Sequence, residues 1–174
     1  MPGFRSRSSK PQTANLENPL ATTEAQTEAP SFQIEKLYVK DLSLELPNAP
    51  EIFMQAENPQ LEIQVRNEGQ KFADPLYEVV VTVTVTAKVG EKTLFLAEAA
   101  QAGIFSLRNI PEADIGPFLG IACPTILYPY VREVISDLVT RGGFPPVLLA
   151  PVSFEALYAQ RNQGQPQVPL ATAS

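Results

Sequence analysis

Two carboxylates open the question of chemistry. Asp41 and Glu45 lie four residues apart in a stretch that alternates apolar and polar side chains, which puts them on one face of a strand about 13 Å apart. Paired carboxylates that share acid–base work on a glycosidic bond sit closer together. An enzymatic reading therefore needs a cross-strand neighbour, whereas a solvated sheet surface or a patch for a basic partner needs none.

Other reactive groups are scarce. The chain has no His, which excludes His-ligated metal sites, His-assisted nucleophiles and the helical HExxH signature. Its single Cys123 forms no CxxC or structural zinc set and stands in an apolar run between Ala122 and Pro124, the setting of a small core residue. The string VGEKT resembles the end of a phosphate loop, but Val85 stands where the first Gly belongs and Glu91 where the Lys belongs. Glu112 and Asp114 suit the start of a short helix and need no catalytic role. The expectation is a protein without cofactor, metal or catalytic residue.

Charge separates the chain into parts. Residues 31–158 hold nine Lys or Arg against sixteen Asp or Glu, whereas Arg5, Arg7 and Lys10 make the first ten residues basic. An acidic core repels the phosphate backbone, so nucleic acid is not an expected partner. Residues 1–30 carry Phe4, Leu16 and Leu20 amid Ser, Thr, Gln, Glu and Pro, too little apolar surface to repay ordering. The expected organisation is a disordered extension over residues 1–30, one domain over 31–158 and a flexible tail over 159–174. The basic start is followed by no apolar h-region and no run of eighteen apolar residues occurs, so the reading is a cytoplasmic protein without stable membrane insertion.

The elements that position these groups follow from periodicity. In residues 77–88, Tyr77, Val79, Val81, Val83, Val85 and Ala87 alternate with Glu78, Thr82, Thr84, Thr86 and Lys88, a strand with one buried and one wetter face. Gly90 and Glu91 turn the chain into a returning strand over residues 93–105. Leu61, Ile63 and Val65 mark an earlier strand, with residues 67–75 read as turn. A first strand covers residues 32–46, where Ile34, Tyr38, Leu42, Leu44 and Leu46 share a parity that Leu37 and Val39 break. The Pro-rich connection between these two strands carries Ile52, Phe53 and Met54, as a loop packed over something or a ligand-facing flap would.

After residue 114 the period lengthens. Leu127, Val131, Val134, Ile135 and Leu138 fall on one helical face, with Arg132, Glu133 and Asp137 largely opposite. Pro124 argues for a fresh start, so the helix is expected over residues 125–141 with Pro129 in its first turn and Gly142 or Gly143 as C-cap. Tyr128 and Val139 widen its apolar band, which favours self-association. Ser153 caps a short helix with Phe154, Leu157 and Tyr158 on one side. The fold class is α+β: a four-stranded antiparallel sheet with a long helix packed on one face.

The strings FQIEKLYVKDLSLELPNAPEIF, YEVVVTVTVTA, EAAQAGIFSL and LGIACPTILYPYVREVISDLVTRGGFPPVLLAPVSFEALY resemble, in collinear order, the bacterial protein-export chaperone family SecB. That resemblance implies a cytosolic homotetramer, arranged as a dimer of dimers, that holds unfolded precursor proteins and delivers them to the SecA export ATPase without hydrolysing nucleotide. It further implies a motor-docking patch at Asp41, Glu45, Leu96 and Glu98, where acidic groups attract a basic segment. Candidates for the client groove are Phe53, Met54, Tyr128, Phe144, Leu148, Leu149, Phe154 and Leu157. Ala97, Ala99 and Gln101 match positions associated with subunit assembly, to which Val131 and Ile135 are added from the main helix. Glu57 stands where the best-known member has an aromatic residue. Two other readings compete: an adaptor domain binding a folded basic partner through the acidic sheet face, and a carboxylate-based enzyme with a closed pocket.

Overall fold

The computed structural model describes residues 29–54 and 56–164. Alternating side chains form four strands: β1 (Ser31–Glu45), β2 (Gln60–Ala73), β3 (Leu76–Val89) and β4 (Lys92–Arg108). They pair antiparallel in the order β1-β4-β3-β2, which places the two most apolar strands at the centre. The chain then turns helical: α1 (Glu112–Pro117), a π turn (Phe118–Ala122), α2 (Cys123–Arg141) and, after an irregular stretch, α3 (Phe154–Asn162). This is the expected α+β arrangement, a four-stranded antiparallel sheet with a long helix on one face. α3 runs past residue 158 to Asn162, so ordered structure reaches into the segment read as tail. Residues 1–28, the bulk of the expected extension, and residues 165–174 lie outside the described residues.

Between sheet and helix sits the core. Val79, Val81, Val83, Val85 and Ala87 of β3 are fully buried, while Thr82, Thr84 and Thr86 point to the open face. α2 answers with Leu127, Val131, Ile135 and Val139, each spaced four residues from the next and all fully buried, a single row along the helix. Val134 and Leu138, expected in that row, are half-buried beside it.

β1 shows why its pattern reads irregularly. Its pairing with β4 shifts between Ile34 and Lys36 and again between Val39 and Asp41, and each extra residue reverses the side to which the following residues point. Ile34, Leu37, Val39, Leu42 and Leu44 therefore all lie opposite odd-numbered residues of β4, from Phe105 to Ala97, on the helix side. Leu37 and Val39 are in phase after all, and Tyr38 is the residue that goes to the open face. Ile34, Val39 and Leu42 stay about half exposed at this edge of the sheet.

Two further expectations change. Residues 67–73 are strand rather than turn, because β2 continues along β3 through Asn67↔Val81 and Lys71↔Tyr77; an edge strand tolerates this polar sequence, since its outer side faces water. Nor does Pro124 begin a new helix: the helical run is continuous from Glu112 to Arg141. The Cys123 N–H bonds the Phe118 carbonyl, an i to i−5 bond that absorbs one residue as a π turn. Pro124 has no N–H to offer the Gly120 carbonyl, and the Asn67 side-chain amide of β2 donates to it at 3.5 Å. Pro129 lies inside α2 rather than in its first turn. Pro129 and Thr125 are both on the exposed side, where water can reach the carbonyl that the ring leaves without a donor.

Gly143, at φ +87°, is the left-handed residue that ends α2. Phe144 N–H bonds the Val139 carbonyl at 3.3 Å and Gly143 N–H the Thr140 carbonyl at 3.0 Å, the paired bonds of a Schellman ending. The run 112–141 is long and apolar enough to cross a membrane by length and composition, with a mean hydropathy of 1.2 in its window. Its apolar row is nevertheless packed on β3 and β4, as in the core helix of a two-layer domain.

Candidate functional site

Cross-strand register assembles the open sheet face. Glu45 pairs with Leu96 and that with Thr86; Ser43 pairs with Glu98 and that with Thr84; Asp41 pairs with Ala100 and that with Thr82. Directly paired residues share a face, so Asp41, Glu45, Leu96 and Glu98 are brought together across two neighbouring strands. Thr84 Oγ1 donates to Glu98 Oε2 at 2.6 Å, which orients one carboxylate. Glu62 of β2 pairs with Thr86 and extends the acidic row, a contribution that only strand order exposes. Lys88 of β3 approaches Glu62 at 3.9 Å and Arg66 of β2 stands in the row of Asp41, so positive charge adjoins the acidic row.

Farther along the same face lies a polar cluster that sequence reasoning missed. Glu78 accepts from the Tyr38 hydroxyl, from Lys40 Nζ at 2.7 Å and from Gln70 Nε2 at 3.0 Å. Lys40, and then Tyr38, hold the Glu78 carboxyl down at about 2, and the same contact with Glu78 pushes the Tyr38 hydroxyl up to about 12. The signal for this cluster is the phase change in β1, which sequence periodicity alone registers only as disorder in the pattern. Among the described residues no three His, Cys, Asp or Glu side chains form a metal set.

The eight groove candidates fall into two clusters and a connecting strap. At the C-terminal end of α2, the Phe144 ring centroid lies 5.4 Å from that of Phe53 and 5.0 Å from that of Phe95. Phe53 is 50% exposed and Met54, on the same short 3-10 turn, 86% exposed. Near the start of α2, Tyr128 and Phe154 meet edge to face at 5.7 Å; both are buried, and Leu157 is half-buried. Residues 145–152 connect these clusters, with Leu149 buried and Leu148 82% exposed. Leu148 lines an open cleft of about 440 Å³ with Pro129, Arg132 and Ser136. Glu57 is exposed.

The assembly candidates lie in the interior of the chain. Ala97, Ala99, Gln101, Val131 and Ile135 are all buried within the single chain, because the odd-numbered residues of β4 face α2 and Val131 and Ile135 belong to the row that packs on the sheet. Their side chains are covered by the chain itself. The small side chains of β4 instead let α2 approach closely. Exposed apolar surface lies elsewhere, on Ile34, Val39 and Leu42 of β1 and on Tyr130 of α2.

Comparison with known proteins gives a consistent result. Residues 25–165 match the family model SecB, preprotein translocase subunit SecB. The protein-export protein SecB of Methylobacillus flagellatus is 59% identical over 148 residues, 85% of this chain and 94% of the relative. The protein of the same name from Neisseria gonorrhoeae is 56% identical over 137 residues, 78% of this chain and 93% of the relative. Among solved structures, a SecB-like chaperone of Mycobacterium tuberculosis, in complex with a peptide from an antitoxin, aligns with a TM-score of 0.59 at 17% identity, covering 70% of this chain and 90% of the other; that likeness concerns the fold alone. A family match across most of the chain, close relatives of nearly full length and the same two-layer fold lead to one conclusion: this chain belongs to the SecB family.

Proposed function

We propose that this chain is an export chaperone of the cytoplasm that holds non-native precursor proteins without ATP and delivers them to the SecA export ATPase. Membership of the SecB family carries this reading, and it assigns the chain no catalytic step of its own. The observation that supports it in this molecule is exposed, adaptable apolar surface beside the helix layer: Phe53, Met54 and Leu148 lie open to solvent near the Phe53–Phe144 and Tyr128–Phe154 ring pairs. Such surface gathers many weak contacts from an unfolded chain, and binding that form lowers the concentration free to fold or aggregate.

The division of surfaces follows the same proposal. Clients lie along Phe53, Met54, Phe144 and Leu148, with Tyr128, Leu149, Phe154 and Leu157 as the covered part of the same wall. SecA docks on Asp41, Glu45, Leu96 and Glu98, where carboxylates attract a basic segment and Leu96 adds apolar contact. Four copies assemble as a dimer of dimers, supported by the half-exposed apolar residues of β1 and by Tyr130. The chaperone domain spans residues 31–158, with α3 adding its last turn.

The test is retention of a slow-folding precursor. Purified protein should delay refolding of the denatured precursor without nucleotide, leave the native form unbound and migrate at about four times the 19.0 kDa chain mass. A monomer that binds native and denatured forms alike would sink the proposal.

A further inference from the structure

The open sheet face carries its charge in order along β1 and β4. At the end where β1 begins, Lys36 lies opposite Ile104 and Lys40 pairs with Glu78, with Glu35 in the first bulge between them. At the other end stand Asp41, Glu45 and Glu98. Arg66 and Glu68 of β2 and Lys88 of β3 do not follow this order, so the ordered half is that of β1 and β4. Lys36, Asp41 and Glu45 have no ion pair among the described residues.

The start of the chain carries the complementary order. Its first ten residues contain Arg5, Arg7 and Lys10 and no acid, and residues 11–30 contain Glu17, Glu24 and Glu28 and no base. Traced back from Ser31, the chain meets three carboxylates and then three cations, while the face traced from the same end offers Lys first and then Asp and Glu. Length fits as well. Asp41 and Glu45 lie about 33 and 46 Å along β1 from Ser31, and the residues from 11 to 30 can span up to about 70 Å. One buried group marks the path: Ser106 pairs with Gln33 and Leu76, its parity along β4 turns it to the open face, and its hydroxyl, in a residue 1% exposed, has no hydrogen-bond partner among the described residues. A chain turning back over the face from Ser31 passes that hydroxyl first. The three cations lie outside the family match, which begins at residue 25.

We infer that the acidic half of the open face is a docking surface for the chain's own start, with Arg5, Arg7 and Lys10 on Asp41, Glu45 and Glu98. This rests on the reading of that face as a dock for basic segments given under Proposed function. Each exposed ion pair is weak, but the tether supplies an effective concentration on the order of millimolar. The start therefore occupies the face part of the time, and a basic partner has to displace it.

Carbodiimide treatment of the full chain, followed by mass spectrometry of the digest, should join the Lys10 amine to Asp41, Glu45 or Glu98 at low ionic strength and lose these links in high salt. An equal mixture of isotopically light and heavy chains, refolded together, identifies the donor. Links confined to one isotope form support the proposal, whereas mixed links assign the face to the start of another copy and overturn it. A labelled oligolysine peptide reads the competition: it should bind Arg5→Ala/Arg7→Ala/Lys10→Ala about two- to five-fold more tightly than wild type at low ionic strength, and Asp41→Asn/Glu45→Gln should remove that gap. Absence of the Lys10 links, or equal measurable affinity of the peptide for the two proteins, overturns the docking of the start. Failure of the peptide to bind either protein removes the basic-segment reading of the face, while the cross-links still judge the start.

Discussion

Replacing Gly120 by Ala sets two physical effects of opposite sign against each other. In a helical run, Gly to Ala stabilises by about 1 kcal/mol when nothing obstructs the methyl group. Here a Cβ on Gly120 would lie 2.3 Å from Tyr158 Cδ2 and 2.6 Å from Cε2, well inside the 3.5–4.0 Å at which carbon atoms attract. These are ring atoms near the root of the side chain, so Tyr158 cannot yield by bending its tip. Either the ring swings into solvent or α3 lifts, and lifting exposes Phe154, whose full burial contributes about 1.5–3 kcal/mol. The net expectation is destabilisation by about 1–2 kcal/mol, concentrated in α3. Urea unfolding gives the total, and hydrogen exchange locates it. The double variant Gly120→Ala/Tyr158→Ala removes the clash, so the two changes should couple and not add. A Gly120→Ala protein more stable than wild type, with α3 still protected, would refute the reasoning, because propensity alone would then govern the site.

Three other outcomes follow from the same structure. Glu78 has its carboxyl held from 4.5 down to about 2, so its contacts add stability that is complete above the unfolded value and is lost as pH falls from about 4.5 through about 2; the stability gap between wild type and Glu78→Gln, measured by denaturant titration, should close across that window, and a constant gap would count against it. Charge reversal at Asp41 and Glu45 should weaken capture of a basic SecA-derived segment about ten-fold at low ionic strength and much less at high salt, with client retention unchanged; equal loss of both would reject the separation of surfaces. Burial pushes the Cys123 thiol up to about 12, so iodoacetamide at pH 8 should leave it unlabelled in the folded protein and modify it once the chain is unfolded in denaturant; native labelling at the rate of a free thiol would contradict the packing around α2.

Much of the fold could be read from residue order because its signals are local. The Val–Thr alternation of β3 reports a strand with two unlike faces, the turn at Gly90 closes its hairpin, and Ser153 and the Gly142–Gly143 pair mark helix ends. Placement of the docking candidates was readable only through family resemblance, since Asp41 and Glu98 are neighbours by strand pairing and not by spacing. The surroundings of the assembly candidates were hidden for a related reason. Small residues on alternate positions of β4 look equally suited to a second chain or to a helix of the same chain, and only the direction of α2 distinguishes them.

By itself the sequence determined the absence of His chemistry, the strand and helix periods and the amphipathic character of the α2 region, all consequences of side-chain type and backbone repeat. Tertiary structure decided the rest. Two bulges in β1 rephase its apolar residues because pairing with β4 demands it, and Asn67 lets a helix pass Pro124 by supplying a donor from another strand. Burial of Ala97, Ala99, Gln101, Val131 and Ile135 likewise depends on what lies across from each residue. A periodic pattern fixes which side chains share a side, but only the packed partner fixes which side is covered.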